Sequence, residues 1–211
     1  MLFLGPIYRI VVEHYAERIN HFPLIELIFY SLDKTILYFI LLAILRVLYL
    51  KFKRRPWRWG HELLLGLFTF YLLLLLALTV FRGIYFPWQI KIYWHRSPAV
   101  INWTVLTETL KLQYARSQLD FLYNFYGNIL WFIPFGFLWP LLRVKHRPNL
   151  LLTLLAGALL SAVIETLQFF LATGVTDIDD LIFNTVGAVI GYCLYLIVIP
   201  RRIRRKKVTA A

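Results

Sequence analysis

The chain has 211 residues, 60% of them hydrophobic and 16% charged, with a mean hydropathy of +0.67. A soluble domain is nearer half apolar and a quarter charged, so that class is excluded. The 23 Lys and Arg against 11 Asp and Glu give a net charge of +12, but these bases flank hydrophobic runs, which argues against nucleic acid as partner and for the lipid bilayer.

Residues 1–31 form the first segment, opening on "MLFLGPIYRI" without the basic start and long apolar core of a cleaved signal peptide. From Ile7 to His21, Ile10, Val11, Tyr15 and Ile19 are interspersed with Arg9, Glu13, Glu17 and Arg18, which predicts an amphipathic helix on the outer surface. Runs near the length of a helical span follow. The first covers about 32–50, with Asp33 and Lys34 at its outer edge and Arg46 inside it. The second is Glu62 to Phe81. The third is Leu122 to Leu142, interrupted by Pro134 and Gly136. The fourth is Leu150 to Ala172 and the fifth Leu181 to Ile199, ahead of a basic cytoplasmic tail at 200–211. Period-two alternation is absent from these runs, which argues against a closed barrel. The expected fold is all-α, a polytopic transmembrane helical bundle of about five spans over residues 32–199.

Orientation follows from the bases. "KFKRRPWRWGH", "RVKHRPN" and "RRIRRKK" are short and strongly positive, which places each in the cytoplasm. With five spans the N-terminus is then outside and the C-terminus inside. The connections 82–121 and 173–180 face out, the first of them rich in Trp, Tyr and Pro ("YFPWQIKIYWHRSP"), the second free of bases.

Polar residues within the spans converge on that outer side. Asn124 and Asn128 are four apart and share a helix face, as do Glu165 and Gln168 at three apart and Asp180 and Asn184 at four. Each pair lies within roughly 10 Å of the outer boundary at 1.5 Å rise per residue. A charge inside a span costs roughly 2.5–3.5 kcal/mol at the helix centre, so Glu165 is expected to face the bundle interior or water. The alternative for the amides is interhelical hydrogen bonding, about 0.6 kcal/mol each.

Asp177 and Asp179 alternate about Ile178 and can project together from an extended loop. Asp179 or Asp180 can instead cap the fifth helix. With Asp180 they make a candidate site for Mg²⁺ or Ca²⁺, while the lack of a nearby histidine argues against zinc. No other cofactor is expected. Ser161, one turn from Glu165, has no base in the span to activate it. His61–Glu62 lacks the second histidine of a metalloprotease. Gly187 and Gly191 form a small-xxx-small pair suited to helix packing, and Pro134 removes a backbone bond above Gly136. Cys193 is the single cysteine, so no intrachain disulfide forms.

"NFYGNILWFIPFGFLWPLL" followed by "ETLQFFLATGVTDIDDLIFNTVGAVIGY" resembles the VanZ-like family of bacterial membrane proteins. The shared pattern falls on Asn128, Pro134 and Gly136; on Glu165 and Gln168; on Asp177, Asp179 and Asp180; and on Asn184, Thr185 and Gly187. Where many members carry an arginine before the acidic stretch, this chain reads Gly174, Val175 and Thr176. The resemblance implies a multi-pass protein of the bacterial cytoplasmic membrane associated with low-level resistance to teicoplanin-type glycopeptides, and implies no reaction. Three functions follow as expectations. The first is non-enzymatic binding of a cell-envelope ligand, such as a lipid-linked cell-wall intermediate or the glycopeptide, at the outer polar site. The second is a metal-assisted intramembrane hydrolase or transferase with Glu165 as acid–base group. The third is a non-catalytic envelope scaffold with unidentified protein partners.

Overall fold

The computed structural model describes residues 1–15, 22–105, 118–143 and 149–200, and the side chains of all of these except 118–125. The end of the amphipathic segment, most of "RVKHRPN" and the basic tail beyond Pro200 lie outside the described residues. Six helices occur among the described residues: α1 Gly5–Tyr15, α2 Phe22–Phe52, α3 Trp59–Thr79, α4 Gln118–Leu142, α5 Leu150–Leu171 and α6 Ile178–Val198. No named strand occurs among them, and one isolated bridge joins Asn102 to Asp177.

α2, α3, α5 and α6 are each long and apolar enough to cross a membrane. The described apolar part of α4, Tyr126–Leu142, is shorter. The chain is a membrane protein, and its helix faces show why. On α5 the outward stripe is Leu151, Leu155, Leu159 and Val163, spaced four apart, while the buried face carries Thr153, Ser161, Glu165 and Gln168. α6 repeats the pattern, with Ile182, Val186, Ile190 and Leu194 outward and Asp179 and Asn184 buried. Apolar stripes this long facing out, with polar residues facing in, suit a hydrocarbon solvent and not water.

The chain divides into two compact units, residues 1–91 and 92–211. In the first, α2 packs on α3. α2 begins at Phe22, well ahead of Leu32, so Asp33 and Lys34 lie inside the helix and are fully buried. Asp33 Oδ1 accepts the backbone N–H groups of Phe3 and Leu4, and Oδ2 accepts that of Leu2, all at 2.7 Å. Tyr85 Oη donates to Oδ2 at 2.5 Å. Burial first, then the Asp33 carboxylate, pushes the Tyr85 phenol above its ordinary range, so it stays a donor. At the other end of the pair, Arg46 Nε and Nη2 grip both Glu62 oxygens at 2.8 Å, a bidentate bridge that neutralises the arginine inside α2.

In the second unit, α4 and α6 form the most extensive helix pair, and α5 packs against α6. Three glycines set the α4–α6 approach. A Cβ on Gly136 would lie 1.9 Å from the Ala188 carbonyl oxygen, one on Gly187 2.2 Å from that of Ile129, and one on Gly191 2.1 Å from that of Ile133. Pro134 and Pro140 lie within α4, so the carbonyls four residues before each lack their usual helical donor.

Candidate functional site

The site forms where α5 ends and α6 begins. Ala172 closes α5 in the left-handed region, at φ 52° and ψ 36°. Its N–H meets the Phe169 carbonyl, and the Thr173 N–H meets that of Gln168, which is the Schellman closure. Glycine usually fills this position, and an L-residue there carries about 1 kcal/mol of steric cost. Ala172→Gly is therefore expected to raise the melting temperature in detergent by about 2–4 °C, the shift that goes with about 1 kcal/mol at this chain length.

The turn then carries Thr176 and Asp177 back over Glu165. Asp177 caps α6, its Oδ1 accepting the Asp179 N–H at 2.8 Å, so α6 starts at Ile178. The cap is thus Asp177, and Asp179 and Asp180 lie in the first helical turn, where the helix dipole favours their charge. Asp177 and Asp179 accordingly do not project side by side from an extended segment.

Glu165 is 8% exposed. Its Oε2 accepts the Asp177 N–H at 3.1 Å, and its main-chain carbonyl accepts Thr176 Oγ1 at 3.4 Å. Asn128 on α4 donates to Asp180 on α6. Asn184 on α6 donates to Ser161 on α5 at 2.9 Å, which occupies the buried serine hydroxyl. Gln168 is buried, and a Cβ on Gly174 would come within 3.1 Å of its amide. Asn124 lies on α4, with its side chain outside the described residues. Among the described residues no three His, Cys, Asp or Glu side chains converge as a metal site would need. Asp177, Asp179 and Asp180 instead serve as a cap, a buried first-turn acid and a partner of Asn128.

Three contributors come from residues 92–105 and were not singled out in the sequence. Asn102 bridges the turn: its N–H meets the Thr176 carbonyl at 2.9 Å, its carbonyl accepts Ile178 N–H at 3.1 Å, and its amide donates to Asp177 Oδ2 at 2.8 Å. Arg96 Nη1 donates to the Phe169 carbonyl at 2.8 Å and stands over the Phe169 ring, 5.4 Å from guanidinium carbon to centroid. That puts a cation on the negative end of α5. Trp103, 67% exposed, forms one wall of a cleft of about 250 Å³. Ile101, Ala162, Phe169 and Leu181 supply apolar walls, and Glu165 and Asp177 the acids. No periodic signal marks these residues, because a short extended segment takes its partners from tertiary pairing alone.

The family model described as VanZ/LLP1 matches residues 68–199, which include every residue of this site. The chain belongs to this family. It is 36% identical to Protein VanZ of Enterococcus faecium over 137 residues, which is 64% of this chain and 75% of that protein. No solved structure matches the chain. Within the VanZ match fall the glycines of the α4–α6 crossing, the Glu165 cleft and the Asn102 bridge, whereas α1 and α2 lie before it.

Proposed function

We propose that this VanZ-family protein binds a cell-envelope ligand in the Glu165 cleft, on the outer face of the bacterial cytoplasmic membrane, and so lowers susceptibility to teicoplanin-type glycopeptides. The carrying observation is the state of Glu165. It is nine-tenths buried and borders a cleft with mostly apolar walls, and among the described residues Oε2 takes a hydrogen bond, from Asp177, and Oε1 takes none. A carboxyl on the wall of an apolar cleft with one oxygen uncommitted is a ready acceptor, which a ligand hydroxyl, amide or amine would fill. Trp103 adds a flat apolar face to the same cleft.

Topology supports the outer placement. The turn 173–180 has no base, whereas Lys51, Lys53, Arg54, Arg55 and Arg58 crowd the link from α2 to α3. With α4 as a fifth span, the N-terminus lies outside and the C-terminus inside. A lipid-linked cell-wall intermediate and the glycopeptide itself both suit an outer cleft, and binding alone accounts for the effect without a chemical step.

The test is susceptibility to teicoplanin and vancomycin in a host without its own homologue. Wild type is compared with Glu165→Gln and with the Asp177→Asn/Asp180→Asn double variant, at equal membrane abundance. Wild type is expected to protect against teicoplanin and both variants to fall back to the level of the empty host. Equal protection by all three removes the cleft from the reading, and protection by none removes resistance from it.

A further inference from the structure

A separate pocket lies in the first unit, in a part of the chain the glycopeptide reading does not use. α2 places Lys34, Thr35 and Tyr38 on the wall of a cavity of about 220 Å³, closed on the other side by Leu73 and Leu76 of α3 and by Phe86. Lys34, Thr35 and Tyr38 precede the residues matched by the VanZ family model.

Lys34 is 2% exposed. Its Nζ donates to the Phe81 carbonyl and, at 3.2 Å, to that of Ile84. An ammonium has three N–H donors, so one is left without an acceptor among the described residues. Both carbonyls lie beyond the end of α3 and are neutral, and the Tyr30 ring, 5.4 Å from Nζ to centroid, adds only its π face, so among the described residues no carboxylate balances the cation. Asp33, the neighbouring acid, turns both its oxygens to Leu2, Phe3, Leu4 and Tyr85. Thr35 is 1% exposed and its Oγ1 has no hydrogen-bond partner among the described residues. Tyr38 is committed, donating to the Tyr85 carbonyl at 2.8 Å.

A buried ammonium without a carboxylate partner and an idle hydroxyl on one cavity wall both carry a desolvation cost that an incoming acceptor would offset. The rest of the wall is apolar. We propose that this pocket binds an anionic acyl lipid. A carboxylate or phosphate oxygen accepts hydrogen bonds from Lys34 and Thr35, and the methylenes next to the head lie against Leu73 and Leu76. The cavity is smaller than the roughly 300–1,000 Å³ of pockets that enclose whole drug-sized ligands. It therefore takes the part of one chain nearest the head and leaves the rest of the tail outside. A free fatty acid and a single-chain phospholipid offer the same chemistry.

Native mass spectrometry of the purified full chain, released from detergent with added oleate, lysophosphatidate or oleyl alcohol, reads this directly. Oleate or lysophosphatidate, or both, should be retained, and oleyl alcohol should not; whichever anion is retained identifies the source. Lys34→Met keeps the apolar stem and should weaken retention about ten-fold, the worth of one charge-assisted hydrogen bond. Leu73→Trp fills the cavity without touching Lys34 and should block retention as well, which covers the case in which Lys34→Met fails to fold. Lys53→Met, on an exposed turn, should change nothing. Retention of the alcohol as strongly as the acids, or unchanged retention by a folded Lys34→Met or Leu73→Trp protein, overturns the proposal.

Discussion

Gly191→Ala is expected to be among the most damaging single-methyl additions in this chain. The new Cβ would sit 2.1 Å from the Ile133 carbonyl oxygen, 2.9 Å from the Phe137 nitrogen and 3.0 Å from the Gly136 Cα. All three are backbone atoms of α4, so no side chain can swing aside, and the helices must separate. Overpacking costs about 1–3 kcal/mol where side chains can adjust, and the upper end applies here. In a bilayer the loss is sharpened, because lipid replaces lost packing without penalty and close backbone approach is what holds the helices together. Gly127→Ala, on the partner helix α4, is the matched control. Nothing lies within 4 Å of its added Cβ, and alanine gains about 0.5–1 kcal/mol in a helix interior. Thermal melting in detergent should therefore move in opposite directions for the two. Joint behaviour, both neutral or both harmful, would sink the close crossing as the basis of the second unit.

Asp33→Ala is expected to release the start of the chain. The carboxylate accepts four hydrogen bonds, three from consecutive backbone N–H groups and one from the Tyr85 phenol. Its removal strands a buried phenol and frees Leu2 to Leu4 at a cost of about 3 kcal/mol, since hydrogen bonds to a charged group are worth about 1.5–3 kcal/mol each and some donors find water. Tyr85→Phe removes one of the four and should cost about half as much. Hydrogen exchange of residues 2–15 reads the effect. Fast exchange in Asp33→Ala with a slower rise in Tyr85→Phe is the expected order, and wild-type protection in Asp33→Ala would show that α1 is held by something else.

Hydropathy revealed the long apolar helices because their outward faces are unbroken by charge. It misjudged α2 at one point. Asp33 and Lys34 look like the outer edge of a span because no local partner explains them, yet their partners lie 29 to 52 residues away in sequence. The same limit governs the cleft. Spacing along α5 puts Glu165 and Gln168 on one face, and spacing along α6 puts Asp180 and Asn184 on another, since a helix repeats every few residues. Trp103 lines the cleft, Asn102 holds the turn through Asp177, and Arg96 holds the end of α5, all from a segment with no repeat at all, so their place is set by tertiary pairing. The cap was ambiguous for a related reason. The sequence offers Asp179 or Asp180 as the cap, and the Asp177 contact with the Asp179 N–H puts it at Asp177 instead.

The Asp33 clasp also bears on the order in which the protein is made. Its donors come from both extremes of the first unit, residues 2–4 and residue 85, so the clasp cannot close while only α1 and α2 have left the ribosome. Lys34 is in the same position, its acceptors being the carbonyls of Phe81 and Ile84. An isolated α2 would enter the bilayer carrying both charges unanswered, at up to about 2.5–3.5 kcal/mol each on insertion scales. Arg46, too, waits for Glu62. Three ionised side chains on α2 thus find their partners only after α3 is synthesised, which favours lateral release of the two helices from the translocon as one hairpin.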